Sequence, residues 1–536
     1  MNGVVLVTCA IVILAVAYRF YGKWLAKTWG IDPNALTPAH RLEDGQDYTP
    51  SSKFTVFANQ FSSITGAGPV TGPIIAAAYG WLPAFLWLMI GGVFFGAVQD
   101  FAALYASMKN DGKSMGVLIE KYIGTTGRRL FLLFCWVFSL LVIAAFGDIV
   151  ATTFNGFAKD GSMVLPNAAA ASISMLFIFV AIAFGLFIKK FNPSEKVRFV
   201  IAIVLLIAML YVGIDLPIYL DRMTWLYIIF AYIFFASIMP MWLLKQPRDY
   251  ISAFLLLMMI AGGVIGIFIA QPTLNMPAFT SFSVGGKDLF PILFITIACG
   301  AISGFHATQS PLMARCLTNE KQGKPVFFGA MIAESLIALI WAAVGMAFWG
   351  GPTELNTTLA AHGNNAAWAV NEITRNTLGK VGAILALLGV VVAPITSGDS
   401  AFRSARLIAA DFLHIEQRSV RKRLYISIPL FVVGFAITLM NFGVIWQYFA
   451  WINQMLAAVT LWTITSYLIV NRKNYWIALL PAIFMTLVVS LYILIAPEGL
   501  LMPYWSGFAI ASVITIAVTI LFLRYAFHRQ KNLIAQ

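Results

Sequence analysis

Gly66-Ala67-Gly68-Pro69-Val70-Thr71-Gly72-Pro73 interrupts an otherwise apolar run between Phe54 and Gly80. Each proline removes a helical hydrogen bond and the three glycines weaken the helix further, so the string predicts an unwound segment. An apolar half precedes it (Phe54 to Ile64) and another follows (Ile74 to Gly80), which places the break near the middle of one membrane span. In lipid, a backbone group without a partner costs several kcal/mol, so such a break persists only where it lines protein or water. Secondary transporters build substrate and ion sites this way. The competing reading is a proline kink that lets two helices pack closely.

A second break is expected at Cys299-Gly300-Ala301-Ile302-Ser303-Gly304-Phe305-His306-Ala307-Thr308-Gln309-Ser310-Pro311, after a mostly apolar approach. Around the two breaks, the 536-residue chain is 60% hydrophobic and 11% charged, against about 25% charged in soluble domains. That balance excludes a soluble globular protein and an intrinsically disordered one. A bilayer core of about 30 Å takes roughly 20 apolar residues. About fifteen such runs are legible, near 3–21, 54–80, 82–108, 129–153, 167–188, 197–214, 224–244, 250–270, 288–312, 325–349, 380–397, 424–440, 444–470, 475–496 and 504–527. The fold class is therefore all-α, a polytopic helical bundle read as one domain over 1–536. Residues 114–123 and 364–378, of mixed polarity, read as interfacial helices and 22–53 as a polar inner loop.

The formal charge of 35 − 22 = +13 resolves into topology. With the N-terminus outside, alternate loops on the inside collect 30 of the 35 Lys and Arg residues, leaving Lys159, Arg222, Lys287, Arg375 and Lys380 outside. The expected partners are accordingly a small solute and the bilayer of a cytoplasmic membrane, C-terminus inside; the loops are too short for a basic nucleic-acid-binding domain. The positive residues follow the first span rather than precede it, so that span does not read as a cleaved signal peptide. Cys9, Cys135, Cys299 and Cys316 lack C-x-x-C spacing and the five histidines lack metal-ligand spacing, so neither a disulfide nor a metal site is expected. With this orientation the first broken span enters from inside and the second from outside, the layout of inverted repeats around a midplane site.

Few ionisable groups remain at depth. Glu334 lies roughly 15 Å beyond Lys324 along its span, and Asp100 roughly 14 Å from Lys109. Glu334 without a buried cation can carry a proton, and His306 in the second break can titrate or hold the turn together. For each of the three, a polar clamp between helices is the bland alternative. Asp148 reads as reaching the outer interface. Asp399, Arg403 and Arg406 share one helical side after the eleventh span and read as an inner gate or as plain inner surface.

These strings together resemble the carbon-starvation protein A (CstA) family of membrane transporters. The resemblance rests on Leu42-Glu43-Asp44-Gly45-Gln46-Asp47-Tyr48-Thr49-Pro50, Ile64 to Pro69 with Gly72-Pro73, Gly96 to Phe101, Ala298 to His306, Met331 to Ser335, and the Asp399, Arg403, Arg406 pattern. It spans a core of about 40–410, with additional C-terminal spans at 424–527. It implies uptake of peptides, or of pyruvate in some members, during carbon limitation. It also implies a place in the amino acid–polyamine–organocation superfamily, with five-helix inverted repeats that begin in broken helices. One departure stands out: Ala58-Asn59-Gln60 replaces an expected Gly-His-His, and amides cannot titrate.

The expected function is thus secondary active import of small peptides or a small carboxylate. Thr65, Gly66, Gly68, Thr71, Gly72, Ser303, Gly304, His306, Thr308 and Gln309 are the expected substrate contacts, because unwound N–H groups suit a carboxylate. Glu334, Asp100 and His306 are expected to couple protons, with Na⁺ on unwound carbonyls as the rival ion and no other cofactor. A polar-lined channel and a membrane nutrient sensor are the alternatives. Saturable flux with counterflow would exclude the channel, and no soluble signalling domain favours the sensor. Enzyme chemistry is not expected, since H-E-x-x-H is missing from the sequence, as is a nucleotide-binding G-x-x-x-x-G-K-[ST].

Overall fold

The computed structural model describes residues 1–536 except 45–47, 159, 240–241, 363–365, 378, 414, 416–419, 441 and 536. Inside helices, 366–367, 375, 377, 379–388, 390–393, 411–412, 420 and 532–535 are described as backbone alone. Gly45, Gln46 and Asp47 of the family string, and Lys159, thus lie outside the described residues, as do the side chains of Arg375 and Lys380.

All fifteen expected spans are helical. Ten are unbroken, long and apolar among the described residues: Gly3–Trp29, Trp81–Met108, Thr125–Phe154, Leu165–Phe191, Glu195–Asp215, Lys245–Ala270, Glu320–Phe348, Phe442–Val470, Trp476–Ile495 and Tyr504–Lys531. Arg222–Ile238 is shorter, and Gly379–Phe412 and Val420–Thr438 complete the continuous set. The other two spans are broken. The first consists of α1 (Lys53–Ile64) and α2 (Gly68–Ala76), the second of α6 (Leu289–Thr296) and α7 (Gly304–Ala314). Between and after them, α3 (Ala97–Met108), α4 (Thr125–Phe154), α5 (Lys245–Ala270), α8 (Gly329–Phe348), α9 (Gly379–Phe412) and α10 (Phe442–Val470) carry the residues that matter below.

The local chemistry explains each break. Ser52 caps α1 by accepting from the Thr55 N–H (3.3 Å), and the helix stops at Thr65 (ψ 87°). Then α2 begins with Pro69 in its first turn, where a missing N–H costs nothing, and it continues through Pro73, so the break is confined to 65–67 rather than extending over Gly66 to Pro73 as the sequence predicts. In the second span α6 ends at Thr296, and helix resumes only at Gly304. The halves interlock reciprocally: α2 packs on α8, the helix after the second break, and α7 packs on α3, which follows the first. Each of those partner spans also carries a π-helical segment, Gly91–Gly96 in one and Lys324–Phe328 in the other. Exchange of equivalent partners is the signature of a repeat, here with six spans between the two broken ones.

The breaks also touch. A Cβ on Gly68 would stand 2.5 Å from Cys299 Sγ, and one on Gly72 would meet the Thr296 carbonyl oxygen, which is backbone and cannot turn aside. Gly72→Val is therefore expected to destabilise the protein by about 1–3 kcal/mol through overpacking, read as a lower thermal midpoint in detergent. Gly262→Val, where open space surrounds the position, is the control.

Loops sort to two ends. At one, Asp32 N donates to Glu320 (2.9 Å), Lys109 pairs with Glu320 (2.6 Å), and Arg315 Nε donates to Gly112 O (3.0 Å). At the other, Gly3 N bonds Pro272 O (2.8 Å), Leu274 N bonds Met1 O (2.9 Å), and Thr280 N bonds Tyr79 O (3.0 Å). Gln530 Nε2 donates to Ile469 O (2.5 Å), beside the 471–475 loop and Lys473, whose ammonium bonds the Trp29 carbonyl. Met1 and the C-terminal helix end therefore lie at opposite ends of the bundle. The segments 115–122 and 366–377 are short helices, as expected.

Three boundaries differ from the sequence reading. Residues 22–29 continue the first helix instead of opening a loop. The eleventh span runs on to Phe412, so Asp399, Arg403 and Arg406 are inside a helix rather than after one. Likewise α5 begins at Lys245, which brings Lys245, Arg248 and Asp249 into the helix. In the last two cases charged residues extend a helix whose polar groups find partners, which hydropathy alone reads as loop.

Candidate functional site

Asp100 on α3, His306 on α7 and Glu334 on α8 converge, although 234 residues separate the outer two in sequence (334 − 100). All three have no exposed surface. His306 Nδ1 lies 2.8 Å from Asp100 Oδ2, and its Nε2 lies 3.4 Å from Glu334 Oε2. The imidazole stands between the carboxyls with one nitrogen toward each. That is a relay layout, and among the described residues no group of three or more His, Cys, Asp or Glu is placed to hold a metal ion. If Nδ1–H donates to Asp100, a neutral ring presents a lone pair to Glu334, which must then hold the proton to bond it. If the ring is cationic, both carboxyls are ionised. The two arrangements carry the same net charge, so a proton can pass between Glu334 and His306 without changing the charge of the site.

Neutral amides fix the second break. Asn453 Oδ1 on α10 accepts from Ser303 Oγ and from the Phe305 N–H, both at 3.1 Å. Gln454 Nε2 donates to Ile302 O (3.1 Å), Gln99 Nε2 to Ser303 O (2.6 Å), Ser335 Oγ to Gly300 O (2.9 Å), and Trp87 Nε1 to Ile297 O (3.0 Å). Carbonyls freed by unwinding are thus held by side chains from three other helices. Gln99, Asn453 and Gln454 were not singled out by the sequence reading. Amides in the middle of apolar runs were the available signal.

The expected substrate contacts divide accordingly. Thr71 Oγ1 bonds Ala67 O (3.0 Å), Thr308 Oγ1 bonds Phe305 O (2.7 Å), and Ser303 is held by Asn453, so these hydroxyls serve the local backbone. Gly68 and Gly72 face the second break, Gly304 packs on the α10 backbone at Asn453, and Gly66 lies against the Phe146 ring of α4. By contrast Thr65 Oγ1, both amide atoms of Gln309, and Glu334's two oxygens are buried with no protein hydrogen-bond partner, as are Asn59 Oδ1, Gln60's amide atoms and Thr396 Oγ1. Native proteins leave few buried polar atoms unpaired, so this concentration around the breaks marks a place for polar guests.

A second buried cluster lies beside the end of α1. Lys245 Nζ on α5 contacts Ser63 Oγ (3.0 Å) and Asp249 Oδ2 (2.7 Å). Arg248 reaches Asp249 (3.4 Å), Asp399 on α9 (3.3 Å) and the Tyr232 hydroxyl. Ser62 Oγ bonds Asp249 O (2.9 Å) and Ser397 Oγ on α9 bonds Ser63 O (3.0 Å), so α5 and α9 clasp the last turn of α1. Asp399 is fully buried here, whereas Arg403 Nη2 bonds the carbonyls of Ala236 (3.1 Å) and Met239 (2.9 Å), and Arg406 lies one turn further along, also buried. Asp399 and Arg403, two of the three expected gate residues, therefore face different partners. Asp148 is buried and pairs with Arg222.

Toward the end that carries Met1, a cavity of about 120 Å³ opens between α2, α6, α10 and Pro352–Ala361. Ile75, Thr296, Asn356, Trp446, Lys287 and Glu498 line it, so it reaches the last residue of α6 at the second break.

Comparison with known proteins agrees with this architecture. The chain is 36% identical to "Peptide transporter CstA" of Escherichia coli K12 over 359 residues, covering 63% of this chain and 49% of that one. It is 34% identical to "Pyruvate/proton symporter BtsT" of the same organism over 351 residues, 62% of this chain and 48% of that one. It thus spans about half the length of these relatives. To "Peptide transporter CstA" of Campylobacter jejuni it is 31% identical, covering 96% of this chain and 82% of that one. Among solved structures, a manganese transporter of Eremococcus coleocola superposes with a TM-score of 0.51 at 11% identity, over 89% of this chain and 94% of that one, a likeness of fold. The family model described as "Carbon starvation protein CstA" matches residues 2–375. With that match across most of its length and a relative aligned along nearly all of it, the chain, a multi-pass membrane protein, belongs to the carbon starvation protein CstA family.

Proposed function

We propose that the chain is a secondary active importer, not an enzyme, that carries a short peptide or a small carboxylate such as pyruvate across the cytoplasmic membrane together with protons. One observation carries the reading: a carboxyl–imidazole–carboxyl line, sealed from both ends, bridges the second broken helix and the spans that follow both breaks. Sealing argues against an open pore, and the contact between the breaks means that a guest at either one is felt at the other. Solute enters through the cavity beside Thr296, meets the unpaired polar atoms of Thr65 and Gln309, and leaves when α1 parts from α5 and α9. Orientation follows the positive charges, with the N-terminus outside and the C-terminus inside. Two names among the relatives supply the solute classes, peptide and pyruvate. Protons are preferred to Na⁺ because the carbonyls of the second break already have donors. A cytoplasmic-membrane importer of this kind works as one transport domain over 1–536.

Uptake into proteoliposomes tests the reading. A one-unit inward pH gradient should drive accumulation of pyruvate or a dipeptide toward about tenfold per proton, with no response to a Na⁺ gradient. Accumulation driven by Na⁺ at equal pH would reject the proton assignment, and uptake that never saturates would reject the transporter.

A further inference from the structure

A groove of about 760 Å³ runs down the outside of the bundle between the first span, α1 and α8. Its walls are apolar: Ala15 and Tyr18 from the first span, Phe54 and Phe57 from α1, Ile332 and Leu336 from α8. One end is different. Lys53 and Glu195 line it there, next to Pro325. Lys324 holds its ammonium 4.4 Å above the Tyr18 ring, and Arg19 and Lys23 stand close enough to repel that ammonium. Ser52 Oγ donates to Glu195 (2.7 Å), which gives that carboxylate a partner within the protein. Arg19, Lys23, Lys53 and Lys324 thus set four positive charges against one negative charge at the mouth of an apolar slot. This mouth lies at the end where Ser51 N bonds Cys316 O (3.0 Å) and Lys109 pairs with Glu320, the end that collects the positive loops.

We infer that this groove binds a diacyl phospholipid with an anionic headgroup, the acyl chain along the slot and the phosphate among Lys53, Lys324 and Arg19. The pairing of chemistries favours this occupant. An apolar slot alone would accept any acyl chain, whereas clustered Lys and Arg at the membrane surface select anionic lipid by about 1 kcal/mol each, roughly fivefold per charge. A second copy of the chain would bring its own positive end to the same level and meet repulsion. The site has a consequence for transport: Ala333, which lines the groove, precedes Glu334, and Phe54 and Phe57 belong to the half-helix clasped by α5 and α9. The lipid therefore packs against both elements that the import cycle has to move.

Native mass spectrometry of the full-length protein, released from nanodiscs of equal phosphatidylglycerol and phosphatidylcholine, tests the inference independently of any transport activity. The wild-type protein should retain phosphatidylglycerol at least about fivefold over phosphatidylcholine. Joint replacement Arg19→Gln, Lys53→Gln and Lys324→Gln should bring that ratio near one. Ala15→Trp, which fills the slot and leaves the charges, should lower retention of both lipids. If the triple variant does not fold, Lys53→Gln alone, at an exposed position, should still lower the ratio severalfold. Equal retention of the two lipids by the wild-type protein, an unchanged ratio in the charge variants, or a dimer lost on Ala15→Trp would each overturn the assignment.

Discussion

Glu334→Gln is expected to abolish concentrative uptake, with the ratio of internal to external solute falling from about tenfold under a one-unit pH gradient to one. Exchange of labelled for unlabelled solute across the same vesicles should persist. The argument follows from the relay. Glutamine keeps the size of the side chain, 3.4 Å from His306 Nε2, so the packing of α7 on α3 and α8 is preserved. What it cannot do is release a proton, and the exchange between Glu334 and His306 is then broken at one end. Loss of exchange together with accumulation would mean that Glu334 positions helices and carries no proton. Retention of tenfold accumulation would remove it from coupling altogether. Asp100→Asn is the informative companion, because Asp100 bonds His306 Nδ1 at 2.8 Å and orients the ring. Its loss should slow both exchange and uptake while the accumulation ratio is still reached, the mark of a positioning residue.

The elements that could be read from sequence are those whose physics is local. Pro69 cannot donate to the turn before it, so a helix has to restart there, and fifteen apolar runs must become helical because lipid leaves the backbone no other partner. Scarcity of charge did the rest: with so few carboxyls at depth, Glu334 and Asp100 stood out without any knowledge of their neighbours. The missed residues depend on partners far along the chain. Lys245, Arg248 and Asp249 sit at the edge of an apolar run, where charge ordinarily means the end of a helix. Besides their pairing with one another, Ser63, Tyr232 and Asp399 make it tolerable to bury them, and no spacing rule connects 245 to 63 or 399. Asn453 and Gln454 escaped for the opposite reason. An amide in a span is unremarkable until the broken backbone it serves, at Ile302 and Ser303, is brought beside it. The unwinding itself was legible, whereas the donors that stabilise it belong to tertiary structure.

That buried charge cluster carries the largest expected effect on stability. Arg248→Met should destabilise the protein by about 3–5 kcal/mol, because it strands Asp399 in a region without solvent. Asp249 suffers less, since Lys245 remains 2.7 Å away. Asp399→Leu alone should cost less than Arg248→Met, because Arg248 keeps Asp249 and the Tyr232 hydroxyl. Removing both partners together removes the uncompensated charge, so the double variant Arg248→Met/Asp399→Leu should be more stable than Arg248→Met by about 1–3 kcal/mol. Thermal unfolding in detergent reads all three variants, and a double variant no more stable than Arg248→Met would show that the pair is not energetically coupled. Transport separates the two roles a buried ion pair can have. If the pair merely supports the fold, the double variant regains uptake along with stability. If, as the clasp on Ser62 and Ser63 indicates, it times the parting of α1 from α5 and α9, the double variant should fold well and yet leak, with solute efflux no longer requiring solute or protons on the opposite side.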